Sequence, residues 1–163
     1  MSGIGLDVDR EALFAIEQMN KAYARCLDDD RLEEWPDFFL DDARYLIQSR
    51  ENRDAGLHGY ILYFENRAMM RDRVKSLRIA NYYNLHTDRH LIANVDIVGE
   101  SEGVYDARAN YAVIQTDAEG HSELFSAGEY VDRIEFRDGV PKFRERLVLL
   151  DTSNIVGLLA VPL

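Results

Sequence analysis

Between residues 9 and 27, apolar side chains recur at three- and four-residue steps: Leu13, Ile16, Met19, Ala22, Tyr23, Cys26 and Leu27. That period places them on one face of an amphipathic helix. Asp7 or Asp9 is positioned to cap its start. The next stretch, DDDRLEEWPDFFLDDARYLI, predicts a short helix over 31–35 with Trp35 and Phe38 or Phe39 turned inward. A strand over 43–48 follows, with Tyr45 and Ile47 on one face. GYILYF reads as another short strand. ENRAMMRDRVKSL reads as a helix over 65–77, with Met69, Met70, Val74 and Leu77 along one stripe.

The period then changes. RHLIANVDIVGES, GVYDARANYAVIQTDA, HSELFSAGEYVDRIEFRDG and VPKFRERLVLLDTSNI alternate as strands do and are long. The breaks GESEG, DAEG and RDG carry hairpin turn chemistry. Helices followed by a meander of about four antiparallel strands predict an α+β fold with helices on one face of a sheet. A strongly curved sheet wrapped around a helix makes a cone, and its interior is either a pocket or a packed core.

Composition narrows this. A chain of 163 residues, 47% apolar, is sized for one domain with a real core. We expect a single domain over 1–163, with residues 1–8 as a flexible tail. Nineteen Lys and Arg against 30 Asp and Glu give a net charge of −11. Such a surface repels phosphate, which argues against nucleic acid and anionic membranes as partners. Arg67, Arg71, Arg73, Lys75 and Arg78 form one basic patch on this acidic chain. The single cysteine, Cys26, excludes an intrachain disulfide and a cysteine-built zinc or iron–sulfur site on this chain alone. No apolar run is long enough to span a membrane and no secretory signal is present, so the expected compartment is the cytoplasm.

The candidate chemistry centres on NLHTDRH, where His86 and His90 flank Asp88. Two histidines and a carboxylate are the ligand set of a mononuclear non-haem iron. The segment runs into LIANVDIV, however, and on a strand four residues span roughly 13 Å. Two imidazoles that far apart cannot both reach about 2.1 Å from one ion, so no metal site is expected here. A second use is acid/base chemistry inside a cone, with His90, Tyr23, Asp28, Tyr45 and Tyr130 as the candidate groups. The run Asp28-Asp29-Asp30 lacks the alternation and glycine of a calcium loop and reads as a solvated turn. In RER, Arg144 and Arg146 alternate on a strand, so both are expected on one face, paired with carboxylates of a neighbouring strand or chain.

Four segments, in order, carry a resemblance. They are YARCLDDDRLEEWPDFFLDDARYLI; DRVKSLRIANYYNLHTDRH, with Arg78, Asn81, His86, Arg89 and His90; FSAGEYVDRI; and Arg144-Glu145-Arg146 with the closing LLAVPL. Together they resemble the small (β) subunits of Rieske-type aromatic-ring-hydroxylating oxygenases from about residue 11 onward. The run L-R-x-A-N-x-Y-x-x-H-x-x-R-H looks most like subunits of hydroxylases acting on benzoate-type acids such as salicylate and terephthalate. The resemblance implies an NTF2-like (SnoaL-like) cone, with N-terminal helices packed on a strongly curved, mainly antiparallel sheet. It implies a non-catalytic subunit that trimerises and supports catalytic α subunits as α3β3. The Rieske 2Fe-2S cluster and the mononuclear Fe(II) would then belong to the partner α subunit, with no cofactor on this chain. Arg78, Asn81, His86, Arg89, His90, Arg144 and Arg146 become interface or structural groups. The competing expectations are a free-standing lyase, isomerase or cyclase of the same fold, using His90 with Asp28 or Tyr23 as acid/base, and a plain ligand-binding module.

Overall fold

The computed structural model describes residues 9–80, 85–152 and 162–163. The expected tail (1–8) and Asn81 lie outside the described residues. Helix α1 spans Arg10–Asp28, and the Asp9 carboxylate caps it by accepting from the Ala12 amide at 3.0 Å. A 3-10 turn follows at Trp35–Phe38, then strand β1 (Phe39–Ser49), a short helix α2 (Arg50–Asp54), strand β2 (Tyr60–Phe64) and helix α3 (Arg67–Ala80). Four long strands complete the fold: β3 (His86–Ser101), β4 (Val104–Asp117), β5 (Ser122–Arg137) and β6 (Val140–Leu150).

The predicted helix over 31–35 is instead a series of tight turns. Glu34 and Trp35 donate to the carbonyls three residues back, Arg31 and Leu32. Pro36 has no N–H to continue an α-helix and restricts the residue before it, so the chain tightens and turns into the sheet. As a result β1 begins at Phe39, earlier than the alternation of 43–48 indicates. In α3, Asn66 accepts from the Met69 amide at 3.0 Å, and Met70, Val74 and Leu77 are buried. Met69 lies one residue, about a quarter turn, away from that stripe and is exposed.

The six strands form one sheet in the order β2-β1-β6-β5-β4-β3. Every pairing is antiparallel except β1 with β6, which is parallel and closes the N-terminal strands onto the meander. The turn signals read in the sequence carry the hairpins. Glu102-Gly103 and Asp138-Gly139 both have positive φ at two successive residues, the backbone of a two-residue hairpin turn.

Helix α1 lies inside the curl of this sheet. Asp28 on α1 meets His90 on β3, while Asn20 on the same helix meets Arg146 on β6. β3 and β6 are three strands apart in the sheet, roughly 14 Å if flat. The sheet bends around the helix, and both strands reach it. Register shifts supply the bend: β3 bulges between Ala93 and Asp96, where Asn94 has a φ of 54°, and β6 bulges opposite Arg133–Ile134.

The β6 bulge overturns one expectation from the sequence. Phe143 pairs with Ile134, but Glu145 pairs with Arg133, so Arg144 is the extra residue. The slip reverses the facing of the strand beyond it. Arg144 stays near the surface and pairs with Glu135 at 2.6 Å, whereas Arg146 enters the core at 0% exposure. The two arginines therefore do not share a face.

Arg146 is fully enclosed. Its guanidinium grips both oxygens of Asp132 at 2.9 and 2.7 Å and donates to Asn20 Oδ1 at 2.6 Å. It also lies over the rings of Tyr130, Phe143 and Tyr23, at 3.9, 4.1 and 4.4 Å from their centroids. Around it the core is rich in aromatic rings: Tyr23, Trp35, Phe39, Tyr45 and Phe143 meet mostly edge to face. Arg146→Ala is expected to lower unfolding stability by about 3–5 kcal/mol, because it strands the buried Asp132 carboxylate. The double variant Arg146→Met with Asp132→Leu is expected to lose much less, and urea titration of both variants checks the contrast.

Candidate functional site

Two polar clusters sit inside the cone. The first joins the end of α1 to the start of β3. Asp28 accepts from the His90 backbone amide at 3.1 Å through each oxygen, and its Oδ1 lies 2.6 Å from His90 Nδ1. The His90 side chain is 1% exposed, and its Nε2 is buried with no hydrogen-bond partner. His86 is four residues away along the same strand and has its own carboxylate, Asp88, at 3.4 Å; Asp88 also accepts from Gln115 at 3.2 Å. Strand spacing thus gives each histidine a separate acid. Among the described residues, no group of three His, Cys, Asp or Glu side chains is arranged to hold a metal ion.

The second cluster lies deeper. Tyr23 Oη donates to the Leu163 carbonyl at 2.8 Å and accepts from Trp35 Nε1 at 3.2 Å. Tyr45 Oη lies 3.1 Å from the same carbonyl and accepts from the Leu163 amide at 2.9 Å. Burial pushes the Tyr23, Tyr45 and Tyr130 phenols above their ordinary range, so all three stay protonated. Burial pushes Asp132 up too, opposed by the Arg146 guanidinium that grips it. That bidentate grip is the geometry of an ionised carboxylate.

The five acid/base candidates do not converge. His90 and Asp28 meet, and their contact fixes the orientation of the imidazole. Tyr23 is instead committed to Trp35 and Leu163, Tyr45 to Leu163, and Tyr130 to stacking between Arg146 and Tyr111. The pairings that hold the second cluster together involve Asn20, Asp132 and Leu163, none of which was among the candidate site residues. Asp132 was legible in principle, since it shares strand parity with Tyr130 and Ile134. The inward turn of Asn20 from an otherwise apolar helix face has no local signal.

The basic patch on α3 faces the chain's own acids. Arg78 bridges Asp30 at 2.7 Å and Glu33 at 2.7 Å, and Arg67 and Arg71 pair with Asp41 and Asp37. Its hydrogen bond from Arg78 holds the Glu33 carboxyl down at about 2, against an ordinary 4.5. Arg89 is exposed and donates to the Asp88 carbonyl.

The fold and its filled cone define an NTF2-like protein. A solved structure of a candidate scytalone dehydratase from Novosphingobium aromaticivorans DSM 12444 shares this fold, with a TM-score of 0.68 at 19% identity over 92% of this chain and 91% of that one. A family model described as "Ring hydroxylating beta subunit" matches residues 22–156, and the chain belongs to that family. It is 39% identical to the anthranilate 1,2-dioxygenase small subunit of Burkholderia cepacia, over 97% of this chain and 98% of that one. It is 33% identical to the terephthalate 1,2-dioxygenase terminal oxygenase component subunit beta 2 of a Comamonas species, over 91% and 96% of the two chains. The beta subunit of a candidate aromatic-ring-hydroxylating dioxygenase from N. aromaticivorans superposes with a TM-score of 0.86 at 41% identity, covering 93% and 97%.

The Arg78–Glu33 contact makes a signed prediction. Glu33 has a folded pKa below its unfolded value, so its contribution is present above about pH 4.5 and is lost as pH falls toward 2. The stability difference between the native chain and Arg78→Ala is expected to shrink across that window. A difference that is constant from pH 6 to pH 2.5 in urea titrations would contradict the assignment.

Proposed function

We propose that this chain is the non-catalytic β subunit of a multicomponent aromatic-ring hydroxylase, forming a trimeric base that carries three catalytic α subunits as α3β3. The observation that carries the reading is end-to-end similarity to the small subunits of anthranilate and terephthalate dioxygenases. Those two relatives also favour a benzoate-type acid as the substrate of the complex, and the cytoplasm as its compartment. The Rieske 2Fe-2S cluster and the mononuclear Fe(II) are assigned to the α subunit.

The residues of this chain do not fit either centre. A Rieske cluster takes two cysteines and two histidines. Cys26 is the one cysteine, it is buried with its thiol donating to the Arg31 carbonyl at 3.0 Å, and burial pushes it up to about 11. The histidines on β3 are each paired with a separate carboxylate. Arg146, Asp132, Asn20, Asp28 and the His90 Nδ1 edge are engaged with one another inside the chain, which suits a subunit whose work is assembly.

For the contact surface, the outward face of β3 is the candidate. Leu85, Thr87, Arg89 and Leu91 alternate with the inward-facing His86, Asp88 and His90, and Leu85 and Leu91 are 80% and 55% exposed. Large apolar residues clustered around a surface arginine mark a protein-contact patch. Arg78 and Arg144 are held by their own chain's carboxylates and are assigned structural roles beside Arg146.

Co-expression with an α subunit, followed by light scattering on the eluted species, tests the assembly. A single species with three copies of each chain is expected. An α subunit that elutes active without this chain, while this chain elutes alone, would reject the reading. Arg89→Glu is expected to weaken co-purification at least ten-fold while leaving thermal unfolding of the isolated subunit unchanged.

A further inference from the structure

We propose that copies of this chain meet through the convex face of the sheet, where a row of alternating charge on one copy joins the same row on the next, end to end. The inference rests on the trimeric base proposed above and names the face that would form it.

The register of the sheet builds the row. Arg44 on β1 pairs with Glu145 on β6, Glu145 with Arg133 on β5, and Arg133 with Asp106 on β4. Their sequence neighbours Tyr45, Arg146, Asp132 and Ala107 are buried inside the cone, so strand alternation turns these four side chains outward. Four adjacent strands thus carry plus, minus, plus and minus in order. Arg44 and Glu145 form an ion pair, and Arg133 lies a loose 3.8 Å from Asp106. Beyond Asp106 the next position is Gly99 on β3, which has no side chain to close that end. The row stops there, well along β3 from the patch around Arg89.

Both ends keep capacity for a partner. The Arg44 and Asp106 side chains are 49% and 53% exposed. A guanidinium offers five N–H donors and a carboxylate has about four acceptor sites, so one ion pair apiece leaves both with bonds to make.

Charge selects the occupant. Each copy carries −11, so two copies repel over most of their surface. A face on which cations and carboxylates alternate is where they can approach. The row is also directional, ending in a cation on β1 and a carboxylate on β4. Contacts in a three-fold ring are head to tail and join two different patches of each chain. The two ends supply such a pair, Arg44 of one copy against Asp106 of the next. In the adjacent row, the half-buried Leu147 and Val131 stand opposite each other and add an apolar strip beside the charges.

A charge swap tests the contact. Within one chain Arg44 and Asp106 are three strands apart, roughly 14 Å along the sheet, too far to pair. Sedimentation of the full-length chain is expected to give a trimer. Arg44→Glu or Asp106→Lys alone is expected to weaken it roughly ten-fold or more, by setting like charges against each other. The double variant restores opposite charges between copies only, and is expected to recover affinity to within about three-fold of native. Both positions are exposed, and thermal melting of the diluted chain verifies that each variant folds. Single variants as tight as native, or a double variant no tighter than the weaker single, overturn the proposal and leave the subunit reading standing. A native chain that stays monomeric or stops at a dimer overturns the proposal and the trimeric base together. A native trimer with the expected charge-swap pattern that binds no α subunit supports the proposal and rejects the subunit reading.

Discussion

Burying one guanidinium organises this fold. Arg146 has no access to water, so its charge is tolerable only with a carboxylate and further hydrogen bonds in place. Asp132 supplies the charge from β5 and Asn20 supplies a carbonyl from α1. The same guanidinium is sandwiched by aromatic rings from α1, β5 and β6. Helix and sheet are thereby fixed in one relative position, since sliding α1 by a turn would strand a buried charge. Asp28 with His90 makes a second tie at the far end of the helix. With its middle and its C-terminal end held, the helix is fixed along the curled sheet, whose bulges lie on the strands that the two ties reach.

Many of the chain's arginines are held in local pairs, while the net charge of −11 remains. The acidic turn after α1 and the basic helix α3 read as opposite patches in sequence, yet they face each other across the base of the cone. Arg78 alone holds Asp30 by one bond and Glu33 by two, with a fourth bond to the Asp30 carbonyl. Such exposed pairs contribute little stability individually. Their effect is to position α3 against the 3-10 turn.

Much of this was legible in the sequence. The helical period of α1, the strand alternation of the second half and the Gly-containing turns all appear where the pattern puts them, because each is set by local backbone chemistry. His86 and His90 both lie on β3, where the run into LIANVDIV put them, because period and rise are rigid properties of a β-strand. What was not legible depended on long-range register. The bulge at Arg144 has no local mark, yet it moves Arg146 from surface to core. Leu163 ends up beside Tyr23 and Tyr45, more than a hundred residues away in sequence. Asn20 reads as an interruption of an apolar face until its partner on β6 is in view.

The central claim is that the interior polar groups, His90 included, hold the fold while the redox chemistry belongs to a partner. The most direct test is the pH–rate profile of ring hydroxylation by a reconstituted complex carrying His90→Gln in this chain. A structural histidine predicts an unchanged profile and unchanged turnover per assembled α subunit, with the loss confined to the fraction that assembles. A fully assembled complex in which turnover falls a hundred-fold, with one limb of the profile gone, would make His90 an acid/base group and contradict the account.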